Sequence, residues 1–135
     1  MKRFLLLFVL LFTALAFCQS SREQAATDAA TNWLKLTDAG LYNVSWDAAA
    51  PLFQNAVTKE RWSQALRGVR TPLGNALSRR VKSAKYTTTL PGAPDGEYVV
   101  IQFETSFENK SSAIETVTPM LAKDGTWRVS GYFIR

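Results

Sequence analysis

The chain has 135 residues, of which 47% are hydrophobic and 20% charged, a balance typical of one ordered globular domain. It contains no histidine and one cysteine, Cys18, so histidine-based triads, Cys/His pairs and zinc sites built from His or Cys clusters are excluded. The formal net charge of +5 would fall to +3 without the first 18 residues, a mild excess that does not by itself indicate nucleic-acid binding.

The beginning of the chain has the pattern of a secretory signal peptide. Two cationic residues, Lys2 and Arg3, precede an apolar run over 4–17 in which Thr13 is the one polar residue. A membrane-spanning helix needs roughly 20 apolar residues, and this run stops short of that length. We therefore expect residues 1–18 to direct export and to be removed, which leaves no stable membrane span.

Cleavage of such a peptide needs small residues one and three places before the cut. Ala16 and Cys18 meet this requirement for a cut after Cys18, which the sequence favours, and a cut after Ala16 is the alternative. A lipoprotein signal at Cys18 is a less favoured interpretation, because Phe17 is larger than the residue that such a signal places before its cysteine. The mature chain would be a single domain over 19–135, without cysteine and so without disulfides.

The first half of the mature chain has helical periodicity. Apolar residues recur at helical spacing over 21–38, and Gly40 offers a C-terminal stop. A second helical region covers 43–68. Pro51 interrupts its hydrogen-bond ladder and fits best in a first turn, so we expect this region to divide.

The last helix of this half is predicted over 59–68, with Thr58 as its N-cap. We expect its inward face to carry the apolar residues that recur at helical spacing, Trp62, Ala65, Leu66 and Val69. The segment 71–74 contains a proline and a glycine, and it ends the helical half.

After residue 74 the periodicity changes to the alternation that is typical of strands. Four strands are predicted, over 77–89, 97–107, 112–121 and 126–134. Strong turn signals separate them, and consecutive strands joined by short turns are antiparallel. One parity of the second strand is apolar, at Val99, Ile101, Phe103 and Phe107, which indicates a sheet with one dry face. We expect an α+β fold with the N-terminal helices packed on a four-stranded antiparallel meander sheet.

Several phrases of the sequence resemble a family of exported bacterial proteins, the domain of unknown function 4019. They are WLKLTDAGLY at 33–42, SW at 45–46 with AA at 48–49, RTPLG at 70–74, LPGAPDGEY at 90–98 and WRVSGYFIR at 127–135. Their order and spacing carry the resemblance, which spans nearly the whole mature chain. It implies a periplasmic or secreted bacterial domain with no assigned activity, so it brings no functional residues with it. Helices that precede a curved antiparallel sheet are also similar to the cone-shaped nuclear-transport-factor and cystatin-like folds, an analogy of shape alone.

The densest charge feature of the sequence lies between residues 59 and 85. This segment has one acid, Glu60, against eight basic residues, Lys59, Arg61, Arg67, Arg70, Arg79, Arg80, Lys82 and Lys85. Such a stripe can bind an anionic polymer, lipid headgroups or an acidic protein. The alternative explanation is a solvated helix and a charged edge strand, on which cations deter aggregation between strands. Export argues against nucleic acid as the partner.

Aromatic residues are the second candidate feature. Trp33, Trp46 and Trp62 lie at helical spacing beside other apolar residues, and we expect them to pack in the core. Tyr42 and Tyr132 carry hydroxyl groups and are better candidates for the mouth of a ligand pocket.

Carboxylate chemistry needs two acids close together in a dry site. Glu104 and Glu115, on neighbouring predicted strands, are the pair to test, although pairing of each acid with a basic residue across the strands is favoured. Asp38, beside Gly40, is interpreted as a helix-end residue.

These observations favour an exported, non-enzymatic accessory domain that binds an envelope protein or a small ligand. The candidate binding residues are Tyr42, Arg70, Arg79, Arg80 and Tyr132, with no catalytic residue, metal ligand or cofactor assigned. The competing hypothesis is a small pocket enzyme that uses acid–base chemistry by Glu104 or Asp38 together with Tyr132. It requires a deep cavity that holds one of these carboxylates with a raised pKa.

Overall fold

The computed structural model describes residues 21–135, and the first half of this range is helical. Helix α1 covers 21–38 and is followed by α2 (Tyr42–Asp47), α3 (Pro51–Ala56) and α4 (Lys59–Leu73). The end of α1 at residue 38, the division of the second helical region and the start of α4 are as predicted. The predictions on the signal peptide and its cleavage fall on residues outside the described range.

Local chemistry explains where α3 and α4 begin. Pro51 is the first residue of α3, a position whose backbone N–H has no partner within a helix, so the missing proton is not needed there. The Thr58 hydroxyl accepts a hydrogen bond from the backbone N–H of Arg61 at 3.3 Å, and it caps α4 as the sequence predicts.

The end of α4 differs from the prediction, because the helix continues past residue 68 to Leu73. Asn109 lies against this end, and its side-chain amide and backbone N–H donate to the carbonyls of Pro72 and Leu73, both at 2.9 Å. These bonds satisfy carbonyls that the last helical turn leaves free. Gly74 then ends the helix with φ of 75°, and a Cβ at this position would lie 2.9 Å from the Cβ of Glu108.

The second half forms one antiparallel sheet in the order β1-β2-β3-β4. The strands are β1 (Ala76–Thr87), β2 (Tyr98–Phe107), β3 (Lys110–Leu121) and β4 (Trp127–Ile134). Each lies within a few residues of its predicted range, and the meander is confirmed. Strand β1 carries two register shifts, one between Ala76 and Ser78 and one between Val81 and Ser83.

The helices pack on one face of the sheet, and the core lies between the two layers. On β2 this face presents Val99, Ile101 and Phe103, the dry parity that the sequence predicts. Helix residues meet them, among them Trp33 and Trp62, which are buried. Further buried members of the core are Ala26, Ala30, Leu34, Ala49, Phe53, Leu66, Val117 and Val129. The opposite side of the sheet is called here the open face. The α+β fold is therefore the predicted one.

The inward face of α4 is only partly the predicted one. Trp62 and Leu66 are buried as expected, but Ala65 is exposed and Val69 is 48% exposed. The third buried position of this helix is Arg70, which is 4% exposed. A spacing of four residues places these three buried side chains on one helix face. Arg70 is therefore buried on this face, where the sequence predicted Val69.

Among residues 21–135, no helix has both the length and the apolar composition needed to cross a membrane.

Candidate functional site

A cluster of hydrogen-bonded charged groups lies at one end of the interface between the helices and the sheet. Asp38 is at the end of α1, Arg70 in the last turn of α4, Arg79 on β1, and Glu115 on β3. Tyr132 on β4 joins them through its hydroxyl. These five residues are called the ion network below, and together they connect two helices with three strands.

Arg79 is the centre of the ion network. Its Nη1 and Nη2 atoms donate to Asp38 Oδ2 and Oδ1 at 2.8 and 2.9 Å, a two-point contact that matches the planar guanidinium to the carboxylate. Its Nε donates to Glu115 Oε1 at 2.7 Å. One side chain thus neutralises two acids that lie on different layers of the domain.

Arg70 approaches the same aspartate from α4. Its Nη2 donates to Asp38 Oδ1 at 2.8 Å and its Nη1 to Thr37 Oγ1 at 3.0 Å. The guanidinium carbon lies 5.0 Å from the centre of the Phe107 ring, so the cation also rests against an aromatic face. The Nε atom of Arg70 is buried and has no hydrogen-bond partner within the described residues.

Glu115 is fully buried, yet its carboxylate is well supplied with donors. Oε1 accepts from Arg79 and, at 2.6 Å, from the hydroxyl of Thr105, and Oε2 accepts from the hydroxyl of Tyr132. The Tyr132 ring packs edge-on against Trp33, with 5.2 Å between ring centres. The Glu115 carboxylate therefore lies beside the aromatic core with hydrogen-bond donors for both of its oxygens.

Burial and the neighbouring charges shift the pKa values of Asp38, Arg79 and Tyr132. Burial alone would raise the pKa of Asp38, but hydrogen bonds and charge from Arg79 and Arg70 outweigh it and hold this pKa below its ordinary value. Burial alone would lower the pKa of Arg79, but Asp38 and Glu115 outweigh it and raise the pKa. Burial, and then the charge of Glu115, raise the pKa of the Tyr132 hydroxyl well above its ordinary value. At neutral pH, Asp38 is ionised and Tyr132 is protonated.

This charge state bears on the acid–base hypothesis. That hypothesis needs a carboxylate with a raised pKa, whereas the pKa of Asp38 is lowered and its oxygens are held by two arginines. Glu104 pairs with Arg80 across β1 and β2, the alternative to a carboxylate pair that the sequence favours. Glu104 and Glu115 do not face each other, because the residues opposite them are Ile114 and Phe103.

A cavity of about 290 Å³ adjoins the ion network where α1 ends. Asp38, Tyr42, Arg70, Thr71 and Asn75 are among its lining residues. Tyr42 is half-buried there, and the guanidinium carbon of Arg67 lies 6.0 Å from its ring centre. The cavity is small and polar, and the cation and the anion that border it already neutralise each other.

The open face carries a different set of charges on β1. Arg80, Lys82 and Lys85 are exposed, and these three residues are called the basic edge below. They border two clefts, of about 530 and 420 Å³, whose other lining residues are mostly serine, threonine and short apolar side chains. Among the described residues that line these clefts, Glu104 is the one acid.

The structure separates the five predicted binding residues into three places. Arg70, Arg79 and Tyr132 meet in the ion network, Tyr42 lines the neighbouring cavity, and Arg80 belongs to the basic edge. Their role in binding stays a prediction.

The core positions of Trp33 and Trp62 are confirmed, and Trp46 is partly buried against the core.

Sequence reasoning did not find the partners that make the ion network possible. The sequence does not point to Thr37 or Thr105. For Glu115 it favours a basic partner on a neighbouring strand, whereas Arg79 lies two strands away, on β1. One signal was present, because Glu115 has the same strand parity as the apolar Ala113 and Val117. An acid on the dry parity of a strand indicates a buried cation nearby.

The chain is thus a small α+β domain whose two layers are joined by paired buried charges as well as by an apolar core. The chain belongs to the family described as protein of unknown function (DUF4019), whose model matches residues 29–132. No curated protein matches the sequence significantly.

Proposed function

We propose that the chain is an exported, non-enzymatic domain that binds an anionic partner in the periplasm or outside the cell, and that the basic edge is its binding surface. The observation that carries this proposal is the division of the arginines. Arg70 and Arg79 are neutralised by acids of the ion network, although Arg79 also lines the first cleft. Arg80, Lys82 and Lys85 are exposed and border clefts with a single acid.

The pairing of Arg80 with Glu104 leaves most of this charge available. The Arg80 side chain is 79% exposed, and its Nε donates to Glu104 Oε2 at 2.6 Å. Exposed pairs of this kind contribute little free energy, so an incoming carboxylate can compete for the guanidinium. Lys82 and Lys85 add two further cations on the same strand. The hydroxyl groups that line the clefts can donate hydrogen bonds to an anion as well.

Binding of a fluorescently labelled oligo-glutamate to the purified protein tests this function. We expect saturable binding that weakens as salt is added, because exposed charges are screened. The variant R80Q/K82Q/K85Q should bind about tenfold more weakly, the sum of three modest surface interactions.

A matched control removes the same number of charges elsewhere. Lys35, Arg61 and Lys123 are exposed and lie on α1, on α4 and in the β3–β4 turn. The variant K35Q/R61Q/K123Q should bind like the unchanged protein. Equal weakening by both variants would mean that only the net charge matters and that the basic edge is not the binding surface.

A further inference from the structure

We propose that the anionic partner is an extended acidic segment of another protein, which adds to the sheet as a fifth strand along β1. This inference rests on the proposed function and specifies how the basic edge binds. Two features of residues 21–135 carry it: among these residues the backbone of β1 has no partner on one side, and the two faces of this strand differ in chemistry.

The two edges of the sheet are unequal. At the β4 edge, the backbone N–H of Ala50 donates to the carbonyl of Val129 at 2.7 Å, so the chain that leads into α3 occupies part of that edge. Strand β1 pairs with β2, and within the described residues the backbone of 77–86 makes no other backbone hydrogen bond. An edge strand of this kind leaves N–H and C=O groups free for another strand.

Register shows which part of the edge is regular. The two register shifts interrupt β1 near Leu77 and Lys82, and such irregularities limit pairing. Beyond the second shift, 83–87 pairs without interruption with 98–102 of β2. This continuous stretch is the part of β1 on which an added strand can form a regular ladder.

Side chains on the two faces of β1 predict the sequence of the added strand. Val81 and Ala84 lie opposite Phe103 and Ile101 and so share the helix-facing side, where Val81 is 47% exposed. Arg80 and Lys85 lie opposite Glu104 and Val100 on the open face. A partner strand of alternating residues that pairs with 83–87 would place an apolar side chain beside Ala84 and an acid beside Lys85. Its continuation past the register shift would bring the same alternation beside Val81 and Arg80.

The same cations act against pairing with a second copy of this chain. Two β1 strands side by side would bring the basic edges of both copies together, and like charges on neighbouring strands are unfavourable. Lysine and arginine on a free edge are a common protection against such self-association. A strand with acids in these places meets attraction instead, so the edge selects its partner by charge.

Backbone methylation of a peptide tests strand addition separately from charge. The probe is a labelled, end-capped peptide of alternating glutamate and valine, with eight residues. All N–H groups on one edge of a strand belong to alternate residues, so methylation of every valine nitrogen blocks one edge and methylation of every glutamate nitrogen blocks the other. Both analogues keep the charge and the side chains of the parent peptide.

We expect the parent to bind the purified protein, one analogue to bind at least about tenfold more weakly, and the other to bind like the parent. Slower hydrogen exchange at β1 amides on binding should accompany this result. Equal binding of the parent and both analogues would overturn strand addition while leaving the proposed function intact.

Other outcomes also decide the question. Binding of oligo-glutamate without any binding of the alternating peptide would reject the strand and keep the basic edge as an anion site. Absence of binding by both probes would count against both proposals. Sedimentation of the protein alone tests for a second copy at the edge. Dimers that are lost in the folded variant Ala84→Pro would show that a second copy occupies the edge, and this result would also overturn the proposal.

Discussion

Arg79 and Arg80 are consecutive residues with the same charge, yet they belong to two regions with opposite environments. Arg79 points toward the helices and holds Asp38 and Glu115 in the ion network, with its side chain 16% exposed. Arg80 points to the open face, and its side chain is 79% exposed. A dense run of charge in a strand is therefore not one surface, because the side chains of successive residues project from opposite faces.

Removal of Arg79 should have the largest effect on stability. The variant R79A leaves the buried Glu115 without its cation and Asp38 without its two-point contact, so the free energy of unfolding should fall by about 3–5 kcal/mol. Urea denaturation followed by circular dichroism measures this change. A loss below about 1 kcal/mol would mean that the ion network contributes no more to stability than an exposed ion pair does.

Tyr132→Phe should have the next largest effect. This variant keeps the ring against Trp33 but removes the hydroxyl that donates to the buried Glu115 carboxylate, which should lower the free energy of unfolding by about 2 kcal/mol. The matched control is Tyr42→Phe at the half-buried cavity residue, with an expected change within about 0.5 kcal/mol. Equal changes in both variants would contradict the role assigned to the Tyr132 hydroxyl.

Asp38→Asn should make stability less sensitive to acid. Because the pKa of Asp38 is lower in the folded than in the unfolded chain, its ionised form stabilises the fold at neutral pH, and this contribution is lost as pH falls below about 5. We expect D38N to be less stable than the unchanged protein by about 1–2 kcal/mol at pH 7, a deficit that shrinks in acid.

Denaturant midpoints measured at pH 7 and at pH 3 check this expectation. Asp47→Asn is the control, since Asp47 is exposed and pairs with Lys59 at the surface. A deficit of D38N that stays constant with pH would show that ionisation of Asp38 does not stabilise the fold.

Neutralising the basic edge should have the smallest effect on stability. The variant R80Q/K82Q/K85Q removes exposed cations and one surface ion pair, so its free energy of unfolding should change by less than about 1 kcal/mol. Comparison of this variant with R79A in the same denaturant series shows whether the basic edge contributes less to stability than the ion network does. A large loss of stability would place the basic edge among the structural charges and would undermine its use as a binding surface.

The sequence predicts the elements of this fold well because their signals are local. Pro51 and Thr58 mark helix starts by their own backbone and side-chain chemistry, and the alternation in β2 follows from one buried face. The end of α4 was missed because it depends on Asn109, a residue far along the chain that caps the last helical turn.

The candidate site was predicted less completely, for a related reason. The charges of Arg70 and Arg79 and the hydroxyl of Tyr132 make these residues candidates, but they do not reveal which partner each side chain contacts. The sequence predicts Val69 rather than Arg70 on the buried face of α4, because apolar residues are buried far more often than cations. A buried cation is acceptable only where acids from other elements converge on it.

The α+β class, the order of helices before strands, the meander and the family of the chain all follow from the sequence alone. These properties depend on turns, caps and periodicity, which neighbouring residues set. Only the tertiary structure decided which basic residues are neutralised inside and which remain outside. That outcome depends on strand register and on the approach of α1 and α4 to the sheet, which bring Asp38 and Glu115 to a common arginine from opposite layers.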